Sequence, residues 1–368
     1  MRVAIRTDAS LDIGSGHVMR CLTLADALKV EGADCHFICR AHYGHMIELI
    51  RQRGHTVTAL PVGQPFPAKT NDPMPQPAHA AWLGCDWQTD AEQMVSMLAD
   101  LQPDWLVVDH YALDQRWEEA LSHHYRKLLV IDDLADRPHR CDLLLDQNMG
   151  RQPHDYAGLV PTNCQVLTGP HYALLHPEFA ALRAYSLQRR QAQPSLRHLL
   201  ISMGGVDQPN ATGQVLQALT TCALPADCRI TVVMGLTAPW LINVRELAAQ
   251  MAWPTEVVVN VTDMAQRMAD SDLAIGAAGS TSWERCCLGL PTLMVVLAAN
   301  QQASAQALKN ANAVYLIGGE GDIATHLPLA LKKLTISDCK SRMSLAASAV
   351  SDGQGIVKIL KVMGMSNV

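Results

Sequence analysis

Along the first half of the chain, short apolar runs alternate with longer segments whose apolar residues recur at helical spacing. Runs with the strand pattern are Val3 to Arg6, Cys35 to Cys39, Thr56 to Leu60, Trp105 to Asp109, Leu128 to Asp132 and Leu143 to Leu145. Val18 to Val30 carries Met19, Leu22, Leu24, Ala25 and Leu28 as apolar positions and closes at Gly32, which predicts a helix opening near Gly16. Met46 to Gln52 and the stretch from about Asp90 to Leu101 read as further helices. Strands separated by helices predict a parallel α/β sheet covered on both faces. Functional groups then gather at the C-terminal strand ends, where Asp8, His17, Asp109-His110-Tyr111 and Asp132-Asp133 all fall.

Two stretches interrupt the alternation. Pro61 to Pro77 holds six prolines and two charged residues, and is expected as a surface loop or flap. Gln188 to Pro194 is polar and is expected as a linker. Beyond it strands recur at Leu199 to Ser202, Ile230 to Met234, Val257 to Val261, Leu273 to Ile275, Thr292 to Leu297 and Val314 to Ile317. Helices are predicted from about Pro209 to Leu219, from Asp263 to Ala269 with Thr262 as N-cap, from Ser282 to Leu288, and up to Lys309. The tail from Leu327 is helical in pattern. The chain of 368 residues exceeds the size at which single cores stop growing. The expectation is two Rossmann-like α/β domains, 1–190 and 195–368, facing across a cleft that holds the ligand.

Composition narrows the class. Apolar residues make up 49% and charged residues 17%, the profile of a packed globular enzyme. A net charge of −6 argues against a duplex nucleic-acid binder, which needs a basic face. The 11 cysteines form no CxxC pair, as expected of reduced thiols in a cytoplasmic protein and not of a disulfide frame or zinc site. With a strand predicted at the very N-terminus no secretory signal is expected, and no apolar run is long enough for a membrane span. The sequence is silent on oligomeric state.

Four constellations carry candidate chemistry. Gly14-Ser15-Gly16-His17 sits at a strand-to-helix turn, where backbone N–H groups and the helix dipole favour an anion and a histidine can serve as general base. The plainer reading is a tight turn with an incidental histidine. The dinucleotide fingerprint fails, because Met19 stands where a third glycine belongs and Arg40 where an acidic residue belongs. Gly276 to Thr281, with Glu284 one turn on, could let a phosphate approach the backbone and a ribose meet the carboxylate; equally, Thr281 and Glu284 could form a capping box. No GK[ST] follows, so this is no P-loop. Met203-Gly204-Gly205-Val206-Asp207 is a third glycine turn, and Asn300-Gln301 places amides after a buried strand. Trp82, Trp87 and Trp105 read as packing residues, and eight histidines, His42 and His139 among them, as surface or satisfied groups.

Taken in order, Arg6-Thr7-Asp8-Ala9-Ser10, Gly14-x-Gly16-His17, Arg20, Asp109-His110-Tyr111, Asp132-Asp133, Tyr172-Ala-Leu174, Met203-Gly-Gly205-x-Asp207 and Ser280 with Glu284 resemble the UDP-2,4-diacetamido-2,4,6-trideoxy-β-L-altropyranose hydrolase family of pseudaminic acid biosynthesis. The second half also resembles the nucleotide-binding half of MurG-type glycosyltransferases. The resemblance implies a GT-B-like pair of domains and inverting hydrolysis of the anomeric C–O bond, releasing UDP, without cofactor or metal. It implies His17 as general base. Gly14, Ser15, Gly16, Asp8, Arg20, His110, Tyr111 and Tyr172 would face the sugar, and Gly205, Gly279, Ser280, Thr281, Glu284 and Asn300 the UDP. Whether Asp8, Asp109, Asp132 or Asp133 orients His17 stays open. A GT-B-type UDP-sugar glycosyltransferase and a nucleotide-sugar sensor are the alternatives.

Overall fold

A computed structural model describes residues 1–63, 75–192, 195–336 and 338–365. The chain divides into two compact units, Met1–Leu174 with Ile356–Val368, and Leu175–Gly355.

The first unit opens with β1 (Arg2–Thr7), α1 (Gly16–Val30), β2 (Asp34–Arg40), α2 (Ile47–Gln52) and β3 (Thr56–Leu60). It continues with α3 (Trp87–Leu101), β4 (Trp105–Asp109), α4 (Gln115–Ala120), β5 (Lys127–Ile131), β6 (Leu143–Asp146) and β7 (Gln165–Thr168). All seven strands are parallel, in the order β3-β2-β1-β4-β5-β6-β7. The period of two in each strand sorts its side chains between two cores. Val3, Ile5, Trp105, Val107, Leu129 and Ile131 pack with α1 on one face. Ala4, Leu106, Val108, Leu128 and Val130 pack on the other with Met94 and Leu98 of α3 and Trp117 of α4. Near-continuous apolar strands are what a doubly covered parallel sheet requires.

The second unit begins with α5 (Pro177–Ala192), β8 (His198–Ser202), α6 (Ala211–Leu219), β9 (Arg229–Met234), α7 (Leu241–Ala249) and β10 (Thr255–Val259). It continues with α8 (Met264–Asp270), β11 (Leu273–Ala277), α9 (Thr281–Cys287), β12 (Thr292–Val296), α10 (Gln302–Asn310) and β13 (Tyr315–Gly319). The helices α11 (Ile323–Ile336) and α12 (Cys339–Ser348) close it. Its sheet is again parallel, in the order β10-β9-β8-β11-β12-β13.

Three expectations about organisation are corrected. Gln188 to Ala192 extends α5 rather than forming a linker, because Arg190 on that helix donates to the carbonyls of Met268, Ser271 and Leu288 and binds it into the second unit. The tail does not all stay with the second half: α13 (Gly355–Val362) carries Ile356, Ile359 and Leu360 into the core around α1. Helix α8 is flanked by Asp263 instead of Thr262, and its N-cap makes no side-chain hydrogen bond. Most of the proline-rich loop, 64–74, lies outside the described residues.

In each sheet the strand order reverses direction once, between β1 and β4 and between β8 and β11. Connections leave to opposite sides at such a point, so a crevice opens beyond the strand ends. Both clusters described next lie at these points.

Candidate active site

The first cluster is built on β1, α1 and β4. The turn after β1 is shaped by Ser10, whose Oγ accepts from the N–H groups of Asp12 and Ile13 and whose carbonyl accepts from Gly14. Gly14 takes φ +80°, which a side chain would resist. The turn delivers Ser15 to the N-cap position of α1 and His17 to its first turn. Register pairs Thr7 with Asp109, which brings the end of β4 beside the start of α1.

His17 Nδ1 lies 2.6 Å from Asp109 Oδ1. A carboxylate only accepts, so Nδ1 carries the proton and Nε2 of a neutral ring has a free lone pair. Nε2 makes no hydrogen bond among the described residues, and the side chain is 10% exposed. Arg20, one turn further along α1, grips Asp109 with Nε to Oδ2 at 2.6 Å and Nη2 to Oδ1 at 2.7 Å. Burial opposes charge on Asp109, but Arg20 and then His17 outweigh it and hold the carboxyl far below the usual range. Among the four aspartates left open by the sequence, Asp109 is therefore the one that meets His17.

Arg20 Nη1 continues to Asp133 Oδ2 at 2.7 Å, and the same oxygen accepts from the Tyr111 hydroxyl at 2.5 Å. The Tyr111 ring meets His17 edge-to-face with centroids 4.5 Å apart. Trp82 stacks on Tyr111 at 5.8 Å and His79 lies 4.2 Å from Trp82, so three rings form a wall beside the histidine. The sequence alone singles out no role for His79, and Trp82 belongs to this wall and not only to the packing expected of it. The available signal was an aromatic three residues after a histidine, just past the proline-rich stretch.

Asp8 is fully buried. Its Oδ1 accepts from Arg6 Nη1 and from the Arg40 N–H, both at 2.6 Å. His110 Nδ1 accepts from the Ala112 N–H at 3.1 Å, which leaves Nε2 as the protonated nitrogen, 3.2 Å from Asp8 Oδ2. Burial and then Asp8 govern His110, and burial wins, lowering its proton affinity. Asp8 and His110 thus sit behind the turn as support. Arg20 likewise spends its donors on Asp109 and Asp133. Tyr172 packs at the edge of the core around α1, its ring against His171, and makes no hydrogen bond or ring pair with His17 among the described residues.

The second cluster lies at the β8–β11 junction. Gly205 gives its carbonyl to the N–H of Gly235 at 3.1 Å, and a Cβ on Gly235 would stand 2.1 Å from that oxygen. This close crossing fixes the glycine turn after β8. Asp207 then closes the turn by accepting from the N–H groups of Ala211 and Thr212. After β11, Gly279 leads to Ser280 at the N-cap position of α9. The capping box considered for Thr281 and Glu284 does not form: the N-cap makes no side-chain hydrogen bond. The Thr281 hydroxyl instead accepts from Arg285 Nη1 at 3.0 Å. Arg285, buried, also donates to the Ala277 carbonyl and the Ser282 hydroxyl, which ties β11 to α9. Glu284 is left without a hydrogen-bond partner among the described residues, and burial pushes its carboxyl up to about 7 against the pull of Arg285. Asn300 is exposed. Its neighbour Gln301 is the amide nearest Gly279, with Oε1 accepting from the Leu297 N–H.

Among the described residues, no group of three or more His, Cys, Asp or Glu could hold a metal ion, and no helix is long and apolar enough to cross a membrane.

The two parallel-sheet units, each with its cluster at the switch point, define a GT-B-like fold. Residues 231–357 match the glycosyltransferase family 28 C-terminal domain. MurG of Acinetobacter baumannii superposes with a TM-score of 0.68 at 14% identity, covering 99% of each chain. Within that class, the chain is similar to the UDP-2,4-diacetamido-2,4,6-trideoxy-β-L-altropyranose hydrolase of Campylobacter jejuni, 25% identical over 309 residues, 83% of this chain and 95% of the relative. This agrees with the resemblance read from the motifs. An uncharacterised protein of Methanocaldococcus jannaschii is 24% identical over 299 residues, and the chain spans 55% of that relative's length.

Proposed function

We propose that the protein hydrolyses the anomeric C–O bond of a UDP-sugar, UDP-2,4-diacetamido-2,4,6-trideoxy-β-L-altropyranose, with inversion. The observation that carries this reading is His17: its Nδ1 is fixed by Asp109 and its Nε2 is left free at the end of a parallel sheet. Such a nitrogen is built to take a proton. Water attacks the anomeric carbon opposite the diphosphate, an O–C bond forms, and the proton passes to His17 Nε2. The bond from the anomeric carbon to the diphosphate oxygen breaks, and its electron pair leaves with UDP. Ionised Asp109 stabilises the imidazolium that results. UDP is a good leaving group, so a strong general acid is not needed. General-base catalysis of this kind contributes on the order of 10²–10⁴-fold.

The second unit supplies the nucleotide site in this reading. Unpartnered Glu284 is suited to accept from the ribose hydroxyls, and the backbone and hydroxyls of Gly279, Ser280 and Thr281, with Gly205 and Asn300, to contact the diphosphate. The sugar faces the turn of Gly14, Ser15 and Gly16, with Tyr111 beside it.

Incubation of the purified protein with the UDP-sugar alone tests this. UDP and free sugar are expected, the early sugar anomer inverted by NMR. His17→Ala keeps UDP binding and loses turnover by about 10²-fold or more. Release of UDP only after an acceptor is added would favour a glycosyltransferase, the second reading, for which the family 28 match speaks. Tight UDP binding without turnover would leave a sensor.

A further inference from the structure

Trp82 stacks on Tyr111, the ring that meets the proposed base, and takes no part in the base's hydrogen bonds. It lies on a short 3-10 turn, Ala80–Leu83, whose Leu83 is anchored in the core. Gly84 ends the turn and Asp86 caps α3 directly after it. Further along α3, Asp90 is held by Arg6, Arg40 and Trp117. The turn is therefore fixed to the sheet from below. Trp82 itself is half-buried. Its ring lies 22° from parallel to Tyr111, and Tyr111 is locked by Asp133 and set edge-on against His17. His79 completes the group, and burial lowers its proton affinity, so the wall is uncharged at neutral pH. A large indole kept partly open next to a polar catalytic cluster leaves apolar area that core packing does not use.

The electron-rich face of an indole attracts polarised C–H groups and repels lone pairs. A pyranose ring has a face of axial C–H bonds, and a deoxy position with a methyl group enlarges it. We infer that Trp82 is a specificity-determining residue that packs against the C–H face of the sugar and favours a 6-deoxy ring over one that keeps its 6-hydroxyl. This inference rests on the UDP-sugar reading above and names the part of the substrate that the reading leaves without a selector. In that reading the nucleotide is held by Gly205, Gly279, Ser280, Thr281, Glu284 and Asn300, so its affinity does not draw on Trp82.

The test separates binding from turnover. In a His17→Asn background, which holds substrate without converting it, calorimetry compares UDP, UDP-N-acetylglucosamine and the UDP-diacetamido-trideoxy sugar. Adding Trp82→Ala is expected to weaken the deoxy-sugar nucleotide about 5- to 50-fold, the scale of one lost aromatic contact with its buried area. UDP should change less than about twofold, and Trp82→Phe should recover most of the loss. Preference for the deoxy sugar over UDP-N-acetylglucosamine should narrow in step. Unchanged affinity for the deoxy-sugar nucleotide in Trp82→Ala overturns the inference, as does an equal loss for UDP, which would mark a general structural role. The hydrolase reading fails separately, if the wild-type protein releases no UDP from the sugar nucleotide without an acceptor.

Discussion

Asp109→Asn is the sharpest perturbation of the proposed base. It keeps the shape of the side chain and removes its charge. Three things follow from the geometry. The amide has no fixed acceptor for His17 Nδ1–H, because its NH₂ end fits that position as readily as its oxygen. The ring is then free to adopt the tautomer with the proton on Nε2, which cannot accept one from water. The imidazolium formed in the transition state also loses a counter-charge now 2.6 Å away atom to atom. With charge centres about 4 Å apart and an effective dielectric of about 20, that interaction is ~4 kcal/mol, or roughly 10³ in rate. Arg20 sharpens the loss. Its Nη2 lies 3.4 Å from His17 Nδ1, and without the Asp109 carboxylate it faces the imidazolium as a like charge offset by Asp133 alone.

The expected outcome is a fall in kcat of about 10²–10⁴-fold, with UDP affinity within about twofold of wild type. Single-turnover release of UDP gives the chemical step, and calorimetry gives the affinity. Near-ultraviolet circular dichroism checks that Arg20, still paired with Asp133, keeps the fold. A variant that retains more than about a tenth of the wild-type rate would refute the assignment of Asp109 as the group that orients and stabilises His17.

Two further outcomes follow. Glu284 is pushed up to about 7 by burial, so it gains its proton as the pH falls through neutrality and becomes a weaker acceptor. Uridine, which has no phosphate titrating near pH 6, should bind about tenfold more weakly at pH 6 than at pH 8, while Glu284→Gln should be weak and flat; a flat wild-type profile would count against a ribose contact. Asp90→Ala leaves the fully buried Arg6 and Arg40 without their shared carboxylate and should cost about 3–5 kcal/mol in urea unfolding; a change under about 1 kcal/mol would mean the guanidiniums find other partners.

The sheets were legible because a doubly covered parallel sheet writes its strands as apolar runs. β4, predicted as Trp105 to Asp109, has those bounds, and β1, β2 and β5 differ by a residue or so at their ends. Strand β7 was missed because Gln165-Val-Leu-Thr is short and half polar, as suits the edge of a sheet. Helix α5 was misread at its end for a similar reason. Its polar face, rich in Arg and Gln, looks like a linker until the carbonyls that Arg190 caps are in place.

The site divides along the same line. His17 could be proposed from a local turn, since Gly14 and the first helical turn are contiguous with it. Its partner could not be chosen, because Asp8, Asp109, Asp132 and Asp133 all fall at strand ends and only register separates them. The pairing of Thr7 with Asp109 places β4's last residue next to α1, whereas Asp8 turns to the opposite side, toward Arg6 and Arg40. The aromatic wall was hidden for a further reason. Its rings come from the 79–83 turn and from the residue two past β4, and nothing local marks either as lying near His17. The proposed base can thus be read from one turn, whereas its orientation by Asp109 and its apolar flank depend on which strands the sheet sets side by side.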